Sequence, residues 1–151
     1  CASTGKLEQK ALLKKIGANE VIHRNEFINS PDMPLLKMRF AGIVDNIGGD
    51  IISFGSRQLI EGGKIAAIGM ASNENFKINI MPFILRGIQI IGVNAESTRS
   101  TLRKQIWKKI AEISKDKLLK FVYQECNMYN SIDIIKKIQN STNVGRTVVK
   151  M

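Results

Sequence analysis

The chain has 151 residues, of which 44% are hydrophobic and 24% are charged, with a net charge of +10. This length suits one domain with a real core, and the composition is ordinary for a globular protein. No apolar run approaches the roughly 20 residues of a membrane helix, and we expect no signal peptide. Two distant cysteines, Cys1 and Cys126, make neither a disulfide framework nor a metal box, so we expect a reducing, cytoplasmic location.

The positive charge is concentrated in the last third of the chain, where residues 101–151 carry 11 basic and 4 acidic side chains. Such a bias is one feature of nucleic-acid binding surfaces. Most of these lysines, however, fall on the polar face of an amphipathic helix and its exit loop, and few aromatic residues accompany them for base stacking. We therefore keep nucleic-acid binding only as the weaker alternative. Because no apolar run is long enough to span a membrane, we also expect no membrane partner.

Apolar runs typical of buried strands alternate with runs of helical period, which predicts an α/β fold with a parallel sheet. In the first half the pattern predicts a strand end and turn over 1–6, a helix over 7–16 ended by Gly17, a strand at 20–23, a connector at 29–34 with a helical turn to Met38, a strand at 42–47, and a helix over 51–59 closed by Gly62 and Gly63.

In the second half the same alternation continues. It predicts a strand at 64–69, a short helix at 80–85 with Pro82 in its first turn, a strand at 88–93, a helix over about 97–114 with Ser97 or Thr98 as its cap, a strand at 121–125, a helix at 131–139 and a strand at 147–150. The helix over 97–114 has the clearest period, with Leu102, Ile106, Ile110 and Ile113 on one face.

The segment Ser3-Thr4-Gly5-Lys6 lies between a strand end and a helix. Ligands of doubly wound folds bind at the carboxyl ends of strands, and an acidic residue at this turn would favour the 2′-hydroxyl of NAD. None occurs before Glu8, whereas a hydroxyl and a lysine suit the 2′-phosphate of NADP. A plain helix cap followed by a basic surface residue is the alternative, and for this segment taken alone it is the simpler one.

Glycines end three predicted strands, at Gly48-Gly49, Gly69 and Gly92. Glycine allows a positive φ and lets a ligand approach the backbone, although simple turns use it too. His23 is the only histidine, and no neighbour completes a catalytic triad, so we expect it to be structural or exposed. The sequence shows no carboxylate pair, no Cys/His cluster and no Walker loop, so we assign no catalytic residue and no metal site.

Five segments together resemble the zinc-free medium-chain dehydrogenase/reductase superfamily, specifically its acrylyl-CoA reductase and quinone oxidoreductase group. The most specific are Met81-Pro82-Phe83-Ile84-Leu85-Arg86-Gly87 and the closing residues 144–151; the others are 2–6, 13–22 and 42–49. The resemblance implies a Rossmann-like doubly wound sheet and an NADPH-dependent oxidoreductase that reduces a quinone or an activated C=C bond, as in acrylyl-CoA. The cofactor then carries the chemistry and the protein orients it.

Carried onto this chain, the resemblance implies that Ser3, Thr4, Gly5 and Lys6 hold the 2′-phosphate, helped by Arg24 near the adenosine end. It places Met70, Ile84 and Asn94 along the nicotinamide half. Two residues near the C-terminus would approach the cofactor from the other lobe, Asn140 and Arg146.

The family's first strand, its Gly-rich turn and its N-terminal catalytic lobe have no counterpart here. We expect residues 1–118 to form a partial NADP-binding Rossmann domain and residues 119–151 the C-terminal segment of the catalytic, GroES-like lobe. In the family's strand order, 3-2-1-4-5-6, strand 1 lies at the centre of the sheet. Because this strand has no counterpart here, the first two strands of this chain should not join its later strands. The chain is expected to be inactive alone, as a fragment, a split-gene product or a piece completed by another chain.

Strand 88–93 should form the edge of the sheet, and it is long, apolar and free of Lys or Pro. Natural edges of this kind are usually paired or covered. The resemblance implies a homodimer through this strand, and the alternative is that the chain's own helix over 97–114 covers it. An alternative function is also kept, in which the chain is a non-catalytic nucleotide-binding or interaction fragment of a split reductase.

Overall fold

A computed structural model describes residues 1–29, 31–113 and 123–151. These residues divide into two compact units, Cys1–Lys14 with Ala18–Thr98, and Lys15–Gly17 with Arg99–Met151. The predicted boundary between residues 118 and 119 lies outside the described residues and remains a prediction.

The first unit alternates strands and helices, as the sequence predicts. Its elements are β1 (Ala2–Thr4), a 3-10 turn (Leu7–Gln9) that leads into α1 (Lys10–Lys15), β2 (Val21–His23), α2 (Arg24–Ile28), β3 (Phe40–Asp45), α3 (Asp50–Arg57), β4 (Leu59–Ala67), α4 (Met81–Arg86) and β5 (Gln89–Gly92). Pro82 lies in the first turn of α4, where its missing N–H costs nothing.

Strands β3, β4 and β5 form a parallel sheet in that order, with Ile43 opposite Ile65 and Ile65 opposite Ile90. This row faces the core, where Ile52 of α3, Leu59, Ile65 and Ile88 are buried together. The next row, Val44, Ala66 and Ile91, points to the opposite face, and Val44 is 70% exposed. The prediction of parallel strands at these three places is confirmed.

Strands β1 and β2 form a separate parallel sheet, with Ala2 opposite Val21 and Thr4 opposite His23. Within the described residues no hydrogen-bonded strand joins this pair to β3–β4–β5. This confirms the expectation that the first two strands stay apart from the later ones.

The connector before β3 differs from the prediction. The helical turn expected before Met38 is absent, and a helix that the sequence did not suggest, α2, precedes the connector. The connector's backbone is bonded elsewhere: the N–H of Leu36 donates to Arg57, and that of Arg39 donates to Gln58. Tertiary hydrogen bonds therefore replace the local ones that a helical turn would need.

The predicted end of α3 is also wrong. The helix ends at Arg57, and Gly62 and Gly63 lie inside β4. Phe40 pairs with Leu59 while Gly42 pairs with Lys64, so β4 carries extra residues in an irregular stretch. Gly62 has a φ of +68°, which glycine adopts without steric cost.

The second unit contains α5 (Ser100–Ile113), β6 (Tyr123–Asn127), α6 (Ser131–Gln139) and β7 (Arg146–Lys150), and β6 pairs in parallel with β7. Helix α5 begins at Ser100, two residues after Thr98 and three after Ser97, the two predicted caps, and the bounds of α6 match the prediction. Residues 121 and 122 of the strand predicted at 121–125 lie outside the described residues.

Candidate functional site

The turn after β1 and the start of α2 meet at Gly5. The Arg24 guanidinium lies so close that a β carbon on Gly5 would stand 2.8 Å from its Nε and Nη2 atoms. The hydroxyl of Thr4 accepts a hydrogen bond of 3.0 Å from the Lys6 backbone N–H, which tightens the turn. The structure therefore brings Thr4, Gly5, Lys6 and Arg24 together, with Ser3 on the preceding strand.

Two contacts fix α2, the helix that begins at Arg24, and the sequence predicted neither. Phe27 is buried, with its ring centroid 6.0 Å from that of Phe40. His23 precedes the helix, and its Nδ1 accepts a hydrogen bond of 3.2 Å from the Asn25 N–H. The signal for this cap was weak, because histidine is not among the preferred N-cap residues.

The cluster suits a compact anion. Lys6 and Arg24 bring two positive charges to one strand end, the Thr4 hydroxyl accepts from the Lys6 backbone N–H, and Ser3 lines the same cavity as Arg24. The neighbouring elements carry the acidic residues Glu8 and Glu26, both exposed to water, which weakens their repulsion of an anion. Arginine and lysine together are typical of phosphate recognition.

A cavity of about 520 Å³ is lined by both β1 and β3. Ser3 and Arg24 contribute from one side, and Val44, Asp45 and Asn46 from the other. The lining follows β3 from Phe40 to Asp45 and includes Ala2 and Ser3 of β1, so the cavity runs along both strands. Of the residues predicted to bind the 2′-phosphate, Ser3 and Arg24 line this cavity.

The loops that follow β3 and β4 pack against each other. A β carbon on Gly69 would stand 2.7 Å from the Asn46 carbonyl oxygen, and one on Gly48 would stand 2.5 Å from the Asn73 carbonyl oxygen. Asp45 is 2% exposed and accepts hydrogen bonds from the N–H groups of Ile47 and Gly48. Two of the three glycine-terminated strands thus use glycine for loop contact, and a role in ligand approach remains a prediction.

The residues predicted along the nicotinamide half lie at three separate places of the first unit. Met70 follows β4 and is 70% exposed, and Ile84 is on α4 and is 71% exposed. Asn94 follows β5, where its side-chain oxygen accepts hydrogen bonds from the N–H groups of Glu96 and Ser97. Asn94 therefore shapes its own loop, and its contact with a cofactor remains a prediction.

The two C-terminal predictions fall in the second unit. Asn140 follows α6, and its N–H donates to the carbonyl of Lys136; Arg146 begins β7 and lines a groove with Ile135 and Ile138 of α6. On the same sheet, a hydrogen bond to the Glu125 carboxylate and attraction by it raise the pKa of Lys150.

Among the described residues, no group of three His, Cys, Asp or Glu side chains could hold a metal ion. No helix in the described part of the chain is both long and apolar enough to cross a membrane. Cys1 and Cys126 are both free thiols.

The parallel strands with their intervening helices define an α/β protein of the Rossmann type. No protein-family model matches the chain. Curated relatives do: AcuI of Escherichia coli, named as an acrylyl-CoA reductase, is 30% identical over 150 residues, which is 99% of this chain and 46% of AcuI. YhfP of Bacillus subtilis, whose name is "Putative quinone oxidoreductase", is 29% identical over 151 residues, with the same coverage.

Solved structures agree with these relatives. The YhdH oxidoreductase of Salmonella enterica in complex with NADP superposes with a TM-score of 0.93 at 29% identity, over 99% of this chain and 46% of that one. B. subtilis YhfP with NAD bound gives a TM-score of 0.93 at 28% identity, with the same coverage. The chain corresponds to the C-terminal part of the acrylyl-CoA reductase and quinone oxidoreductase group of medium-chain dehydrogenases/reductases. It spans about half the length of these relatives.

Proposed function

We propose that this chain forms the C-terminal part of an NADPH-dependent oxidoreductase that reduces a quinone or an activated C=C bond, as in acrylyl-CoA. The observation that carries the proposal is the Arg24 guanidinium lying on Gly5 beside Thr4 and Lys6. This cluster supplies the donors and charge that the 2′-phosphate of NADPH needs. The structures similar to this chain contain different cofactors: YhdH was solved with NADP, and YhfP was solved with NAD.

The chain's own residues bind and orient the cofactor in this proposal. When bound, the nicotinamide supplies a hydride to the electrophilic carbon or quinone, and a proton from solvent or an acid completes the reduction. Ser3, Thr4, Lys6 and Arg24 hold the adenosine end. Met70, Ile84 and Asn94 line the nicotinamide half, and Asn140 with Arg146 approach from the catalytic lobe. The proposed parts are residues 1–118 for the NADP-binding domain and 119–151 for that lobe.

We further propose that activity requires a strand and Gly-rich turn from the other half of the fold. Both β1 and β3 line the same cavity, and no described strand joins them. A strand inserted there would complete one sheet, by the main-chain pairing through which extended segments add to open edges. The inserted turn would bring backbone N–H groups to the pyrophosphate. Another chain is the proposed source of this half.

The test compares the 151-residue chain alone with the same chain co-expressed with the N-terminal half of the fold. NADPH binding and reduction of a quinone and of acrylyl-CoA are measured for both. We expect very weak binding and no turnover from the chain alone, and turnover in the reconstituted pair. If the pair binds NADPH yet reduces neither substrate, the non-catalytic fragment is the better description. Full turnover by the chain alone would contradict the need for completion.

We also propose that the completed protein is a homodimer through β5. This strand ends the order β3–β4–β5, and Ile91 is 45% exposed. An apolar edge of this kind can pair with its own copy about a twofold axis. No membrane or nucleic-acid partner enters the proposal, and free cysteines fit a reducing, cytoplasmic setting.

A further inference from the structure

His23 lies between the two parts of the proposed phosphate site, which are the turn after β1 and the first residue of α2, Arg24. It is the Cα partner of Thr4 in the β1–β2 pair, and the next residue along the chain is Arg24. The strand β2 ends at His23, and α2 begins immediately after it. The direction in which Arg24 leaves the sheet is therefore decided at His23.

Helix α2 is too short to hold its own first turn. It has 5 residues, far fewer than an isolated helix needs in water. Its far end is fixed by Phe27, which is buried against Phe40. Its near end is fixed by the hydrogen bond from the Asn25 N–H to Nδ1 of His23. Because Nδ1 accepts this bond, the neutral ring carries its proton on Nε2.

Arg24 is an exposed residue and the first residue of α2. Its guanidinium lies against the Gly5 backbone, where even a methyl group would collide with Nε, Cζ and Nη2. Loss of the cap would let the first turn fray, and Arg24 would then sample positions away from Gly5. The long side chain has much rotamer entropy to gain when it leaves that position.

We propose that His23 is a positioning residue that holds Arg24 over Gly5 and so strengthens the preference for a 2′-phosphorylated nucleotide. The proposal rests on the proposed function, since it assigns a determinant of the same site. His23 acts through its lone pair as a helix cap, without touching the phosphate. A short side chain with a suitable acceptor, such as asparagine, can serve the same purpose.

The test uses the 151-residue chain with His23→Asn and His23→Leu, followed by NMR. The first readout is the nuclear Overhauser contact between the Arg24 side chain and the Gly5 Hα in the free chain. The second is the ratio of the dissociation constants for adenosine and adenosine 2′-monophosphate. Contacts between the Phe27 and Phe40 rings report that α2 is still docked.

We expect the wild-type chain and His23→Asn to keep the contact and the preference for the 2′-phosphate. His23→Leu should lose the contact and about fivefold of the preference, the effect of losing one helix cap. An unchanged His23→Leu, or a His23→Asn as impaired as His23→Leu, would overturn the role. If the wild-type chain binds adenosine and adenosine 2′-monophosphate equally well, that result counts against the assignment of the phosphate site. The nuclear Overhauser contact between Arg24 and Gly5 in the three chains would then decide by itself whether His23 positions Arg24.

Discussion

The guanidinium of Arg86 reaches 50 residues back along the chain to the carbonyl of Leu36, with a distance of 2.7 Å between Nη2 and the oxygen. Its Nη1 atom donates to the carbonyls of Arg57 and Leu59, at 2.8 and 3.0 Å. One side chain at the end of α4 thus fastens the connector before β3 to the junction between α3 and β4. This explains why an arginine in the segment 81–87 matters to the fold.

We expect Arg86→Met to lower the free energy of unfolding by about 2–4 kcal/mol, because it removes three partly buried hydrogen bonds that the guanidinium donates to backbone carbonyls. Methionine keeps much of the length of the side chain, so the loss reports mainly the hydrogen bonds. The matched control is Arg99→Met, at an exposed position, which should change stability by about 0.5 kcal/mol or less. Urea unfolding of both variants is the measurement, and equal losses would contradict the role of Arg86.

We expect Gly69→Ala to destabilise the chain by about 1–3 kcal/mol, because the added methyl group would overlap the Asn46 carbonyl oxygen and force the two loops apart. Gly92→Ala is the control, since a β carbon at Gly92 meets no atom within 4 Å. Thermal unfolding compares the two. If Gly69→Ala is as stable as Gly92→Ala, the loops are not held at the distance that the structure shows.

The positions of strands along the chain were predictable because alternating or continuous apolar residues indicate a segment that is buried on one or both faces. Strands at Phe40–Asp45 and Gln89–Gly92 and the helix at Ser131–Gln139 lie where the pattern indicates. The helix α2 was missed because 5 residues with one buried side chain show no period. Likewise, Gly62-Gly63 looks like a helix end locally, and only pairing with β3 shows that the segment belongs to a strand.

The candidate site was predictable only in part, for a similar reason. The residues of the turn 3–6 are contiguous, so their association needs no tertiary information. Arg24 came from family resemblance, and its contact with Gly5 depends on the parallel pairing of β1 with β2. The cap at His23 is a contact between a side chain and the backbone, and Gly48 and Gly69 pack against the backbone of neighbouring loops; neither kind of contact has a signature in a single sequence.

In the completed protein we expect Lys6→Glu to weaken NADPH binding by about 2–3 kcal/mol, because a charge-assisted contact to phosphate is lost and a repulsion is added. NADH binding should change much less, so the ratio of the two dissociation constants is the measurement. Lys37→Glu, an equal change of charge at an exposed position of the connector, is the control. Equal affinity of the unmodified protein for NADPH and NADH would argue against the assignment of this turn.

The Lys150–Glu125 pair predicts a pH dependence in the second unit. The hydrogen bond and attraction of Glu125 raise the pKa of Lys150 in the folded chain, so the pair stabilises the fold fully below the unfolded lysine pKa of about 10.4. That contribution is lost as the pH rises through the raised folded pKa.

An NMR titration of the Lys150 side chain measures this shift. Glu125→Gln should lower the pKa of Lys150, because it removes the negative charge. Glu112→Gln, on the exposed surface of α5, should leave that pKa unchanged. The same pKa in the wild-type chain and in Glu125→Gln would show that the two side chains do not pair in solution.

The outer edge of β5 allows a sharp test of the proposed homodimer. The Val93 N–H donates to the Ala67 carbonyl of β4. Backbone groups of alternate strand residues point to opposite sides, so the N–H groups of Ile90 and Gly92 face away from β4. A proline at either position removes an outward donor and leaves the β4 ladder intact.

We expect the wild-type protein to sediment as a dimer, and Ile90→Pro and Gly92→Pro to sediment as folded monomers. Gly92→Pro is the cleaner change, because Ile90 also packs against the core and its loss would lower stability. Gly92→Ala is the matched control, since it keeps the N–H and adds a methyl group where no atom lies within 4 Å. A folded wild-type monomer at high concentration would instead favour an edge covered by the chain's own helix. Dimers that survive Gly92→Pro would place the interface on another surface.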